Sequence, residues 1–160
     1  MKHPGPILFW VLLVTIVPTI PAAAQDEKGA VTQVLNDYIR VFGSFDAQRV
    51  VPYYHEPLTV LGAQRVAVMS TRADIEASLL KPLYARLKER GWDARSEWAE
   101  LQVKQMSALL AVASRLTVRR KVDGQELERV GATYLLRKTS DGWKIAVVAV
   151  HDPGSVLRLD

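Results

Sequence analysis

Apolar residues change their spacing once along this chain, and that change limits the folds open to it. As far as Gly91 they recur every third or fourth position; after Trp92 they recur every second. The first period belongs to helices and the second to half-buried strands. Ala99, Leu101 and Val103 share one face of a first strand. Leu110, Val112, Ser114, Leu116 and Val118 share one face of the next, a parity that turns Ser114 inward and Arg115 outward. Asp123-Gly124 is a two-residue hairpin signal. Val130, Ala132, Tyr134 and Leu136 continue the sheet, and Ser140-Asp141-Gly142 turns the chain again. Trp143, Ile145, Val147 and Ala149 form the inner face of the last strand, which points His151 inward at its end. Helices gathered before a long meander cannot build parallel crossovers, so the class is α+β.

Ahead of the meander, Val31, Val34, Leu35, Tyr38, Ile39 and Phe42 mark one face of a first helix. Asp26 and Glu27 suit its N-terminus, and Gly43 is expected to end it in the left-handed conformation. Asp46 reads as the N-cap of a short second helix, with Pro52 kinking its last turn. Residues 58–61 and 65–69 are rich in Val and Leu and form a short hairpin. Thr71 caps a third helix with Asp74 at its third position. Ile75, Leu79, Leu80, Leu83, Tyr84 and Leu87 are its apolar stripe, Pro82 is expected to kink it, and Gly91 ends it.

The first 24 residues stand apart. Lys2 precedes an apolar run at 7–17, prolines follow at 18 and 21, and Ala22-Ala23-Ala24 ends the segment. This is the order of a cleaved secretory signal, with Gln25 the first residue of the exported chain. The apolar run is shorter than the roughly 20 residues that a spanning helix needs, so no membrane anchor is expected after cleavage. The expected organisation is therefore a signal peptide at 1–24, one domain at 25–152 and a tail at 153–160, in a periplasmic or secreted protein. The chain has no cysteine, which excludes disulfides and thiolate chemistry. Its charge of +4 falls to +3 when Lys2 is removed, with 20 basic and 17 acidic side chains remaining. That excess is too small to imply nucleic-acid binding. The densest basic run, Arg115, Arg119, Arg120 and Lys121, reads as the solvated face of a sheet.

Three stretches carry a family resemblance. The first is residues 46–61, a capped short helix leading through Tyr53-Tyr54-His55-Glu56-Pro57 into an apolar strand. The second is the helix start Thr71-Arg72-Ala73-Asp74-Ile75. The third is Asp141-Gly142-Trp143-Lys144-Ile145, closing on Val150-His151-Asp152. In this order the chain resembles the nuclear-transport-factor-2-like superfamily, with its polyketide-cyclase-like and ketosteroid-isomerase-like members. The resemblance implies a cone of order α-α-β-β-α-β-β-β-β, in which a curved antiparallel sheet wraps three helices around a cavity. It also implies dimerisation through the sheet face, for which Ala111, Ala113, Thr117, Gly131, Thr133, Leu109 and Leu135 offer a small, apolar surface. Isomerases of this type need an Asp base after the short helix and a second, protonated Asp. Leu61 and Gly62 stand at the base position, which argues against that chemistry.

Within such a cavity the candidate ligand-binding residues are Tyr38, Tyr53, Tyr54, Tyr84 and Tyr134, whose apolar rings and polar tips suit a half-polar pocket. Were the chain an enzyme, His55 and His151 would be its acid–base pair, with a tyrosine donating to a developing oxyanion. Both histidines also have structural readings, as a backbone cap and as a hydrogen-bonded core residue. Two histidines without cysteine make a poor metal set, so neither a metal nor another cofactor is expected. Ser114, His151 and Asp46 lack the glycine pattern of a nucleophile elbow. Three readings follow. The first is an exported binder of a small apolar or aromatic molecule. The second is an acid–base enzyme, such as a small hydrolase, dehydratase or cyclase. The third is an envelope protein-assembly module.

Overall fold

Where the sequence alternates, the chain forms four long antiparallel strands, and the helices that precede them lie across one face of the resulting sheet. A computed structural model describes residues 22–159. Residues 1–21 of the expected signal segment lie outside it. The elements are α1 (Ala22–Phe42), α2 (Ala47–Val50) with a 3₁₀ turn (Val51–Tyr53), β1 (Tyr54–Leu61), β2 (Val66–Met69), α3 (Arg72–Ile75), a π-type turn (Glu76–Leu80), α4 (Lys81–Glu89), β3 (Trp92–Gln105), β4 (Leu110–Lys121), β5 (Glu126–Thr139) and β6 (Gly142–His151). The six strands form one curved, open sheet in the order β2-β1-β6-β5-β4-β3. This is the expected α+β cone. One detail differs from the expectation of a purely antiparallel sheet: β1 pairs with β6 in parallel.

The N-caps of α2 and α3 are those read from the sequence. The Asp46 carboxylate accepts from the backbone N–H groups of Gln48 and Arg49. Thr71 and Asp74 form a reciprocal capping box. Pro82 lies in the first turn of α4, just beyond the π-type turn, where its missing N–H leaves the ladder one donor short. Helix α1 begins at Ala22, so Glu27 is past its first turn. Its carboxylate instead accepts from Lys138 Nζ and, at 3.0 Å, from Trp143 Nε1. Gly43 is not left-handed; Phe45 takes that conformation, at φ 56°. Gly43 is needed for closeness, since a Cβ there would stand 2.5 Å from the carbonyl oxygen of Ala94. The hairpin between β4 and β5 has a three-residue loop, Val122 to Gly124, closed by the Lys121 N–H on the Gln125 carbonyl.

Leu35, Leu58, Ile75, Leu80, Leu87, Leu136 and Ile145 are buried between helices and sheet, each contributing about 1.5–3 kcal/mol of transfer free energy. Two bulges decide what else faces this core. On β3, Trp98 pairs with Thr117 and Glu100 with Leu116, so Ala99 is an extra residue. Trp98 therefore turns toward the helices, whereas unbroken alternation with Glu100 and Gln102 would point it outward, and its Nε1 donates to Asn36 of α1 at 3.0 Å. On β6, Leu136 pairs with Ile145 and Leu135 with Val147, which makes Ala146 the extra residue. Beyond it Val148 and Val150 face inward, while Val147, Ala149 and His151 face out.

On β4 the parity is opposite to the sequence reading. Ala111, Ala113, Arg115, Thr117 and Arg119 face the helices. Ser114 faces the other way, and its hydroxyl accepts from the Leu157 N–H at 2.8 Å. The tail thus lies over the outer face of the sheet, and the Leu159 N–H also reaches Gln102 Oε1 at 2.8 Å. Ala111, Ala113 and Thr117 consequently leave the surface expected for dimerisation, whereas Leu109 and Leu135 remain exposed.

Candidate functional site

Between α4 and the curled sheet lies a cavity of about 490 Å³. Its helical wall is apolar (Leu79, Pro82, Leu83 and Leu87), and Val60, Val130, Val148 and Val150 supply the strand side. Tyr38, Tyr54 and Tyr134 line its buried end, together with Phe42. The Tyr38 and Tyr54 hydroxyls are 2.8 Å apart. Burial pushes both well above the ordinary phenol range, and the nearby Tyr134 adds to the effect, so both stay neutral.

The positive charges in this cavity are arginines. Arg115 and Arg119 project from β4 at the buried end; Arg65, Arg86 and Arg90 stand at the exposed side. Glu128 of β5 is the carboxylate among the lining residues. It accepts from Arg119 on one oxygen and from Arg90 on the other, which ties the end of α4 to the sheet. Burial alone would raise its carboxyl, but the two guanidinium hydrogen bonds outweigh burial and hold it below the usual range. Arg115 has no ion pair among the described residues. Its Nε donates to the Tyr134 hydroxyl at 2.6 Å, and its Nη1 to Thr117 Oγ1 and, at 3.2 Å, to the Val130 carbonyl. The guanidinium carbon lies 4.8 Å from the centre of the Tyr134 ring and 5.6 Å from that of Trp98.

Of the five tyrosines expected here, Tyr38, Tyr54 and Tyr134 reach the cavity. Tyr53 packs edge-on against the Tyr38 ring. Tyr84 turns to the far side of α4, where its hydroxyl donates to the Phe42 carbonyl at 2.9 Å and its ring stacks on Trp92. Neither histidine lines the cavity. His55 lies in the irregular stretch of β1 between Tyr54 and Thr59, with Nδ1 3.3 Å from the Pro57 carbonyl. His151, put on the outer face by the Ala146 bulge, has Nε2 3.2 Å from Thr133 Oγ1. The two candidate acid–base groups are therefore not brought together. Glu56 positions the third helix, accepting from the Arg72 side chain at 2.7 Å and from its N–H at 3.2 Å. Among the described residues no cluster of three His, Asp or Glu could hold a metal ion.

The sequence reading missed Arg115, Arg119 and Glu128. Their signal is the run Ala111-x-Ala113-x-Arg115-x-Thr117-x-Arg119. Small residues at one end of a strand face leave room for long polar side chains at the other. Arg120 and Lys121 alone of that basic run fit the solvated reading, since both are partly exposed.

The fold recurs in solved structures of low identity. An NTF2-like protein with a cystatin-like fold from Novosphingobium aromaticivorans superposes with a TM-score of 0.62 at 18% identity, over 79% of this chain and 81% of that one. One of unknown function from Pseudomonas putida gives 0.63 at 15% identity, over 81% and 88%. A ketosteroid isomerase-like protein from Erwinia carotovora atroseptica gives 0.55 at 21% identity, over 80% and 98%. At these identities the likeness is one of fold. No curated protein matches the sequence. A family model does, over residues 26–153, and by it the chain belongs to the NTF2-like proteins of family DUF6841.

Proposed function

We propose that this chain is a binding protein for a small molecule with an apolar or aromatic body, held in the cavity between α4 and the sheet. The observation that carries this reading is an open space of about 490 Å³ with aliphatic walls between a buried end of tyrosines and arginines and a more exposed side that carries further arginines. Cavities of that size and lining suit ligands of this kind. The acid–base reading draws no support from the geometry, because the lining lacks both histidines and its carboxylate is shared between two arginines. An assembly module with no ligand would have its cone filled by side chains such as Trp and Leu, and this cavity is open.

The protein is further proposed to be exported after removal of residues 1–24. The charge, apolar run and small residues of that segment support this. Two copies are proposed to pair through the outer sheet face, where Leu109, Leu110 and Leu135 are exposed. Native mass spectrometry of the protein taken from the cells that make it tests all three points. The expected spectrum shows a chain starting at Gln25, a dimer, and a retained small molecule that Leu83→Trp displaces. A chain that binds nothing, with or without Leu83→Trp, removes the binding reading.

A further inference from the structure

We propose that the buried end of the cavity is a subsite for the carboxylate of a small organic monoanion, and that Arg115 is its anchor. This rests on the cavity being a ligand site and names the chemistry of the ligand. Arg115 is 6% exposed, yet only neutral acceptors hold it: a phenol, a threonine hydroxyl and a backbone carbonyl. Of its five N–H groups, the three on Nε and Nη1 match those contacts. Nη2 donates to no group among the described residues. The Tyr134 and Trp98 rings fix the plane of the guanidinium. The side chain is therefore a rigidly held cation whose Nη2 keeps two N–H groups free, at a cavity wall.

A cation removed from water without a counter-charge is costly. An arriving anion recovers that cost, and a carboxylate oxygen can accept a charge-assisted hydrogen bond from Nη2. The charge count favours one negative charge. Glu128 already neutralises Arg119, and Arg90, its second partner, is substantially exposed and screened by water. Arg115 is then the unmatched buried charge. The Arg119 Nε is also buried without a hydrogen-bond partner among the described residues. Phosphate carries close to two charges at neutral pH and fits this balance less well. The aliphatic side of α4 would receive the apolar body of the ligand.

The test compares naphthylacetate with naphthylacetamide, which share a body and differ in charge, by titration calorimetry at low ionic strength. The acid is expected to bind at least about tenfold more tightly than the amide, and Arg115→Gln to bring that ratio close to one. Arg115→Lys keeps the charge but not the contacts to Tyr134, Thr117 and Val130 that fix it in place, and is expected to give an intermediate ratio. Should Arg115→Gln fail to melt cooperatively, the wild-type and Lys ratios decide. Equal binding of acid and amide by the wild type overturns the anion subsite and leaves the binding reading standing. A preference that persists unchanged in Arg115→Gln, or in Arg115→Lys, overturns Arg115 as anchor. A wild type that binds neither probe overturns both the subsite and the reading beneath it.

Discussion

The Tyr38–Tyr54 hydroxyl pair sets what the buried end of the cone tolerates. Both rings are buried, and each hydroxyl finds the other at 2.8 Å. Removing one partner leaves a buried polar group unpaired, at a cost of about 1–3 kcal/mol, whereas removing both leaves only apolar rings. Tyr38→Phe and Tyr54→Phe are each expected to destabilise the fold by about that amount. The double variant is expected to lose less than the two losses combined. Urea midpoints of the four proteins measure the coupling. The tyrosines of this site were readable from sequence because a phenol at a helix or strand core position has an apolar ring to bury. Arg115 and Arg119 were not. On β4 apolar residues occupy both parities, Leu110, Val112, Leu116 and Val118 on one and Ala111 and Ala113 on the other. Alternation alone therefore could not tell inside from outside, and the larger residues drew the wrong conclusion.

Elements follow the sequence closely where a period runs unbroken, and depart from it where one residue is added. Ala99 and Ala146 each shift their strand by one position against its neighbour. Neither alanine differs from an ordinary strand residue in the sequence, so nothing warned that Trp98 would turn in or His151 out. The end of α1 teaches a related lesson. Gly43 looked like a left-handed terminator, yet its role is to let the start of β3 approach. Gly43→Ala is expected to cost about 1–3 kcal/mol, because the methyl group must push back the Ala94 backbone. Gly29→Ala has open space around its Cβ and lies within the same helix; it is expected to stabilise by about 0.5–1 kcal/mol. Thermal or urea denaturation of the two variants distinguishes close approach from helix propensity.

At the scale of the whole molecule, Glu128 is one of the ionic links between the helical layer and the sheet, with Arg90 just past the end of α4 on one oxygen and Arg119 of β4 on the other. Its folded pKa is depressed below the ordinary value of 4.5. The stability it contributes is therefore present above that value and lost as pH falls through the lower, folded one. Glu128→Gln is expected to be less stable than the wild type at neutral pH, and the gap between their urea midpoints to narrow as the solution is acidified below about pH 4. A gap that stays constant through the acid range would show that the carboxylate charge is not what joins the layers.

The end of the described chain has a consequence for anything that docks on the convex side. Residues 156–159 are stitched to β3 and β4 through Gln102 and Ser114, so part of that surface is already roofed by the protein itself. A visitor to this side finds open ground around Leu109, Leu110 and Leu135. To claim the remainder it must first peel back a peptide held by two backbone amides.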